Sequence, residues 1–384
     1  TTPQSPGNIE DRNKMMKYMR RINLLLFVTV LSYSGKENNF GSALSAPSPA
    51  KVQKVAVAGA TGRTGSLVVE ELMNRGVNVV AMVRDLEKAK EILPSSSDEC
   101  SITVKKCDLS SENDIRSAVE GCDAAIWCAT GFSDAPGANI IAQLQKMFGI
   151  MTPRRSIDAM GVSYLANAFL SREKEVNGEE DNLAKVVMLS SAGVTRPRWS
   201  DEKKEMFAGC ADIPIVRLNP FGILDVKADS EEKLRQSNVN YSIFRPGGLN
   251  DNWPSGSRPV FSQGDIAVGR INRKDVATIL VDILTTPEAT GKTFEGVALA
   301  GYPPAVEGIG KALSRLQPDT AGIPSNEVLS ASYNAMQQLL PGEKQDAAAL
   351  AMGQTYEQLD KDEIGRLGKR GQENAEAAAP RPSS

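Results

Sequence analysis

Histidine is absent from all 384 residues. That absence excludes Ser-His-Asp and Cys-His nucleophilic sites, His-ligated metal centres and imidazole acid–base chemistry. Proton transfer must use Lys, Tyr, Asp, Glu, Ser, Cys or water. Cysteine is scarce. Cys100, Cys107, Cys122, Cys128 and Cys210 form no CxxC pair and match no zinc or iron–sulfur spacing. An odd number of thiols fits poorly with a complete disulfide framework, so buried thiols in a reducing compartment are expected. Redox pairing of Cys100 with Cys107, or of Cys122 with Cys128, is the alternative. An excess of positive charge is also missing. The 44 basic and 47 acidic side chains leave a net charge of −3. This balance argues against a nucleic-acid partner held by phosphate contacts. No apolar run reaches the roughly 20 residues that a membrane-spanning helix needs, so none is expected in the mature chain.

The N-terminal segment has the pattern of an address. Lys14, Lys17, Arg20 and Arg21 precede an apolar run over 22–31, broken only by Asn23 and Thr29, and Ser32, Tyr33 and Ser34 follow. A basic region, a short apolar region and small residues are the parts of a secretory signal peptide. Residues 35–50 are rich in Ser, Ala, Asn and Pro, with Glu37 the single acid. The combination resembles the bipartite presequences of secondary plastids. Residues 1–50 are therefore expected to be a targeting presequence, with the plastid stroma as destination. Secretion is the rival destination, and a membrane-resting or core helix is the rival structural reading. The remainder of the chain is moderately acidic.

From residue 54 onward, short apolar runs alternate with amphipathic ones. Strands are predicted over 54–58, 78–83, 103–106, 124–128, 186–190, 240–245 and 293–299. Helices are predicted over 64–74, 86–93, 111–119, 156–170, 224–237, 273–284 and 306–316. The helix at 111–119 opens with Ser111-x-x-Asp114, a capping signal. Strands that are apolar throughout and alternate with helices indicate a parallel sheet covered on both faces. Right-handed crossovers then give an α/β, doubly wound (Rossmann) fold. Its expected extent is 51–320, including a small substrate-side region. A helical extension over 321–367 and a disordered tail over 368–384 should follow. Residues 133–155 read as an inserted loop near the C-terminal edge of the sheet, where ligands sit. Residues 247–269 read as loop.

The strongest motif is Gly59-Ala60-Thr61-Gly62-Arg63-Thr64-Gly65, which follows an apolar strand and opens a helix. That context is what a dinucleotide fingerprint requires. Gly59 permits the tight turn, Gly62 lets the backbone approach a pyrophosphate, and Gly65 lets the helix pack close to the strand. The helix N-terminus offers unpaired N–H groups to the phosphates. The second strand ends in Arg84 and Asp85. An acid there would bind the 2′-hydroxyl of NAD, whereas an arginine would meet the 2′-phosphate of NADP. Arg84 comes first and Asp85 suits a helix cap, so NADP is favoured and NAD is second. Arg63 is a second candidate cation for the 2′-phosphate.

This motif, in its setting, resembles the atypical short-chain dehydrogenase/reductases, the NAD(P)H-binding branch also seen in plastids. The similarity extends over roughly residues 53–300. It implies an adenine-contacting pair at Asp108 and Leu109 and a nicotinamide-side turn at Ala129, Thr130 and Gly131. Ser190 and Ser191, in Leu189-Ser-Ser-Ala-Gly193, resemble the segment carrying the family's serine. Phe244-Arg-Pro-Gly-Gly-Leu249 and Ile271-Asn-Arg-Lys-Asp-Val-Ala277 are similar to later family signatures. The family's catalytic lysine falls on Lys227, which would bind the nicotinamide ribose. Its tyrosine, four residues earlier, falls on Ile223, which cannot exchange a proton. Lys227, a water or a residue from 133–155 is left to act as acid or base, with Tyr164 and Tyr241 as further candidates. Two functions follow from the resemblance. One is reduction of a small, apolar carbonyl or conjugated substrate. The other is a non-catalytic nucleotide-binding scaffold, redox sensor or assembly factor of a plastid membrane complex. A structural subunit with a vestigial glycine loop is a third.

Overall fold

The computed structural model describes residues 52–96, 100–130, 157–173, 182–211, 213–219 and 222–339. The expected presequence, Gly131, the 133–155 insertion and everything beyond 339 lie outside the described residues.

Valine- and alanine-rich segments form the centre of the sheet. Strands β1 (Lys54–Ala58), β2 (Asn78–Val83), β3 (Ile102–Lys106), β4 (Ala124–Trp127), β5 (Val186–Leu189) and β6 (Tyr241–Pro246) follow the predicted order. Two short strands, β7 (Gly248–Leu249) and β9 (Arg270–Ile271), pair with each other, and β8 (Arg258–Ser262) and β10 (Lys292–Leu299) complete the set among the described residues. The main sheet has the order β3-β2-β1-β4-β5-β6-β10-β8. Every neighbouring pair in it is parallel except β8 with β10. The chain therefore moves outward from β1 to β3 and returns to the other side of β1 as β4. A reversal of this kind opens a crevice at the carboxyl ends of the strands.

Helices cover both faces, which is why the central strands can be apolar throughout. On one face, α1 (Gly65–Asn74) shares a core with the later helix at Arg273–Ile283, through Val68, Val69, Leu72, Val276, Ala277 and Leu280. Next in the chain are α2 (Leu86–Ile92) and α3 (Glu112–Ala118), then α4 (Ile157–Glu173). Three short helices follow: α5 (Asp201–Met206), α6 (Ala208–Ala211) and α7 (Pro214–Leu218). The long α8 (Ile223–Gln236) joins α3 and α4 over the opposite face, through Ile115, Val162, Leu165, Ala166 and Leu234. The helix at Arg273–Ile283 is α9, and α10 (Gly310–Leu313) and α11 (Asn326–Leu339) end the described chain. Ser111 caps α3 as its sequence pattern predicts, its hydroxyl accepting from Asp114 N at 3.3 Å.

Two elements differ from the sequence reading. The loop expected over 247–269 contains β8, whose strand character is hidden by Pro259. Proline removes a ladder donor and is confined to edge strands, and β8 lies at the sheet edge. The helix expected over 306–316 shrinks to α10, because Gly308 sits at φ +72° and interrupts it. In the region expected to be a helical extension, the described chain forms one 14-residue helix, α11. Its Leu329 and Met336 are buried with Trp199 and Phe207, and Tyr333 meets Phe207 edge-on at 5.4 Å.

Buried charges brace the loop that leaves β5. Asp265, in the left-handed region at φ +65°, accepts from Gly193 N at 2.6 Å, Thr195 N at 2.7 Å and Thr195 Oγ1 at 2.8 Å. Arg196 is buried beside it and donates to the carbonyls of Asp265, Cys210 and Ala267. Glu295 accepts from the amides of Asp265, Ile266 and Ala267, and burial pushes its carboxyl above the usual range.

Candidate nucleotide site

The glycine turn leaves β1 at the crevice. Gly59 has φ +78°, and a Cβ there would sit 2.8 Å from the backbone of Ala129 on the neighbouring strand end. Gly62 N donates to Gly59 O at 2.9 Å and closes the turn. A Cβ on Gly65 would overlap Gly59 O, so only glycine allows α1 to start this close to β1. Thr64, buried at the N-cap of α1, makes no side-chain capping bond, and the first turn carries no acid. Helix N-termini leave N–H groups without intrahelical partners and carry partial positive charge. A turn with glycine at 59, 62 and 65, leading into an uncapped helix, fits a diphosphate.

At the end of β2 the two candidate ribose contacts divide their roles. Asp85 caps α2, accepting from Glu87 N at 3.0 Å and Lys88 N at 3.1 Å. Arg84 is exposed and makes no ion pair among the described residues. The acid is thereby engaged locally while the guanidinium is not.

Arg63 has a partner the sequence did not reveal. Its guanidinium lies 2.7 Å from Asp251, which also binds Arg273 at 2.6 Å. Burial alone would raise the Asp251 carboxyl, but the two guanidinium groups outweigh it and hold it below the usual carboxylate range. Unperturbed aspartate protonates near about pH 3.9. The lowered value keeps Asp251 ionised through that point, so the clamp's stabilisation is present above it. That stabilisation is lost only as pH falls through the lowered pKa. A carbon-detected NMR titration of Asp251 should show this late transition, whereas a midpoint at the ordinary value would contradict the clamp.

At the end of β3, Asp108 is exposed and accepts from Ser110 N at 2.9 Å and Ser110 Oγ at 2.7 Å. Leu109 is buried beneath it. Beyond β4, Ala129 is buried and Thr130 exposed. Thr130 Oγ1 donates to Asp158 at 3.4 Å, and Lys227 Nζ lies 3.7 Å from the other Asp158 oxygen. Asp158, at 2% exposure, therefore ties two predicted site residues together across α4 and α8. The sequence signal for it is its position as a lone acid in the apolar helix over 157–170.

Ser190 follows β5, is buried, and its Oγ has no hydrogen-bond partner among the described residues. The Ser191 hydroxyl donates to Ala192 O at 3.0 Å. Ile223 opens α8 one turn before Lys227 and packs on Val194, Ile213, Val216 and Leu224. The place a tyrosine would occupy is thus a hydrophobic contact. Tyr241 donates to Asp319 at 2.9 Å, and burial followed by that carboxylate pushes its phenol up. Tyr164 is half-buried against its helix core. All five cysteines are free. Burial pushes the thiols of Cys107 and Cys128 up to about 12 and that of Cys210 up to about 11, so the alternative of redox pairing gains no support. No group of His, Cys, Asp or Glu among the described residues can hold a metal ion, and no described helix is long and apolar enough to cross a membrane.

A family described as NAD(P)H-binding matches residues 59–287, from the first glycine of the turn to just beyond α9. The chain belongs to the NAD(P)H-binding family. An uncharacterized chloroplastic protein of Arabidopsis thaliana is 32% identical over 287 residues, which cover 72% of this chain and 91% of that protein. Protein TIC 62, chloroplastic, of the same plant is 29% identical over 248 residues, 57% of this chain and 33% of TIC 62. This NAD(P)H-binding chain thus spans about a third of TIC 62. Among solved structures, an oxidoreductase of Lactococcus lactis has a TM-score of 0.46 at 18% identity, covering 69% of this chain and 96% of that one. A short-chain dehydrogenase/reductase of Veillonella parvula in complex with NADP has a TM-score of 0.44 at 15% identity, covering 65% and 96%.

Proposed function

We propose that the chain binds NADPH across the carboxyl edge of its sheet and reduces a small, apolar carbonyl or conjugated substrate in the plastid stroma. The observation that carries this is the uncapped start of α1 behind a turn whose Gly59 and Gly65 leave no room for a Cβ, with Arg84 in no ion pair among the described residues at the next strand end. The chloroplastic names of the relatives support the location, and residues 1–50 are the address in this reading.

Bound NADPH supplies the hydride. Amides at Arg63–Gly65 hold the diphosphate, and Arg84 meets the 2′-phosphate. Asp108 and Leu109 flank the adenine, while Ala129, Thr130 and Gly131 form the nicotinamide side. Lys227, oriented by Asp158, binds the nicotinamide ribose. Ser190 donates from its unsatisfied hydroxyl to a substrate carbonyl, with Ser191 beside it. Positioning supplies much of the rate in such a transfer. With Ile223 in place of an acid, the proton comes from Lys227 or water.

The packing of Ile223 favours a second reading, in which the nucleotide is held without turnover and the chain serves as a scaffold, sensor or assembly factor of a plastid membrane complex. NADPH oxidation with a panel of quinones, enones and aldehydes separates the two. Substrate-dependent loss of NADPH absorbance supports the reductase. Tight binding without turnover across the panel supports the scaffold.

Arg84→Ala is expected to weaken NADPH about tenfold, the size of one lost charge-assisted contact, and to leave NADH nearly unchanged. Parallel titrations with the two nucleotides check this, and equal losses would contradict the 2′-phosphate assignment.

A further inference from the structure

We propose that Lys106, the last residue of β3, determines nucleotide choice: together with Arg84 it holds the 2′-phosphate of NADPH. The inference rests on the nucleotide reading above and adds a second cation to its ribose end.

Sheet register brings the two cations together. Strands β2 and β3 are parallel, with Val83 opposite Lys106, and Cys107 N carries the ladder one step further by donating to Val83 O at 2.8 Å. Neighbouring strands lie about 4.8 Å apart. Arg84 follows Val83 directly, so Arg84 and Lys106 are neighbours where both strands end. Paired residues of parallel strands share a face of the sheet. Val79, Ala81 and Val83 lie in the core shared with α1, and Ile102 packs against it, so Lys106 stands on the side where α1 leaves the glycine turn. Beyond Arg84 the chain crosses to that same side, since Ala89 of α2 joins the same core.

Two consecutive lysines divide their roles here. Lys105, on the opposite face, is half-buried and donates to the carbonyls of Ser117 at 2.8 Å and Ala118 at 3.2 Å. Lys106 is exposed and, like Arg84, makes no ion pair among the described residues. Asp85, the acid beside Arg84, turns its carboxylate to the amides of Glu87 and Lys88. Two cations held side by side repel each other, and an anion between them relieves that repulsion. A phosphate monoester carries about −1.5 to −2 charge at neutral pH and has oxygens enough for both partners. The arginine supplies a planar fork of donors and the lysine a compact charge. NADH has a neutral hydroxyl at this position, so the pair favours NADPH. In the sequence Lys105 and Lys106 look alike, and only the strand register separates them.

Calorimetry on the full chain tests the proposal with two ligand pairs that differ only in the 2′-phosphate: NADPH with NADH, and adenosine 2′,5′-bisphosphate with 5′-AMP. Wild type should prefer the 2′-phosphorylated member of each pair. Lys106→Ala should weaken NADPH and adenosine 2′,5′-bisphosphate about tenfold and leave NADH and 5′-AMP nearly unchanged. Lys106→Arg should keep most of the preference, because it keeps the charge. The double variant Arg84→Ala/Lys106→Ala should bind NADPH no more tightly than NADH. An undiminished preference for NADPH in Lys106→Ala, or equal losses for NADPH and NADH, would overturn the proposal and leave the nucleotide reading in place. So would a wild type that binds NADH as tightly as NADPH. Folded wild type that binds neither dinucleotide would overturn both.

Discussion

Gly62→Asp is expected to weaken NADPH by at least about 100-fold, or about 2.7 kcal/mol, with little change in the unfolding transition. The two effects separate because of where Gly62 sits. It is exposed, it is not among the residues with positive φ, and its added Cβ would lie 3.1 Å from Gly59 O. The backbone need give only a few tenths of an ångström. The new carboxylate, however, would stand against the diphosphate. Two unit charges about 4 Å apart repel by about 4 kcal/mol at the effective dielectric of a protein surface. Gly65→Ala provides the contrast. Its Cβ overlaps Gly59 O, so that variant should lose both binding and thermal stability. Calorimetry beside urea unfolding checks both. Retained NADPH affinity in Gly62→Asp would remove the cradle from the account.

Asp265→Ala should destabilise the fold by about 3–5 kcal/mol, the usual cost of leaving a buried partner charge uncompensated. Three donors, Gly193 N, Thr195 N and Thr195 Oγ1, would lose their acceptor. Arg196, at 1% exposure, would lose its nearest carboxylate, which lies 3.7 Å away. Alanine also tolerates φ +65° poorly, whereas Asn adopts it more readily. Asp265→Asn should therefore fall between wild type and Asp265→Ala. Urea midpoints for the three proteins measure the order, and an Asp265→Ala midpoint close to wild type would show that the network contributes little. Because the Gly193–Thr195 turn leads directly from Ser190 and Ser191, its loosening should disturb the substrate side before the glycine turn.

Much of the architecture is legible in the sequence, because continuous apolar runs bounded by turn residues have few other interpretations. The order β1 to β6 and the glycine turn follow from local pattern alone. Strand β8 does not, since Pro259 breaks the strand signature and the antiparallel partner β10 is more than 30 residues away in sequence. At the site, Asp85 is readable as a cap because capping is a local interaction. Arg63 illustrates the limit. Its place in the glycine turn suggests a phosphate contact, yet its carboxylate partner Asp251 stands 188 residues later. Asp158 is similar: a single acid in an apolar helix marks it as unusual, but only the packing of α4 on α8 brings it to Lys227 and Thr130. Ile223 behaves as its chemistry dictates, as a packing residue.

The central claim is that the amides between Gly59 and Gly65 hold the diphosphate of a pyridine nucleotide. Isothermal titration of the full-length protein with NADPH tests it most directly. Saturable binding of one nucleotide per chain, stronger for NADPH than for NADH, is the predicted result; no measurable heat with either nucleotide, in protein shown to be folded, would contradict it.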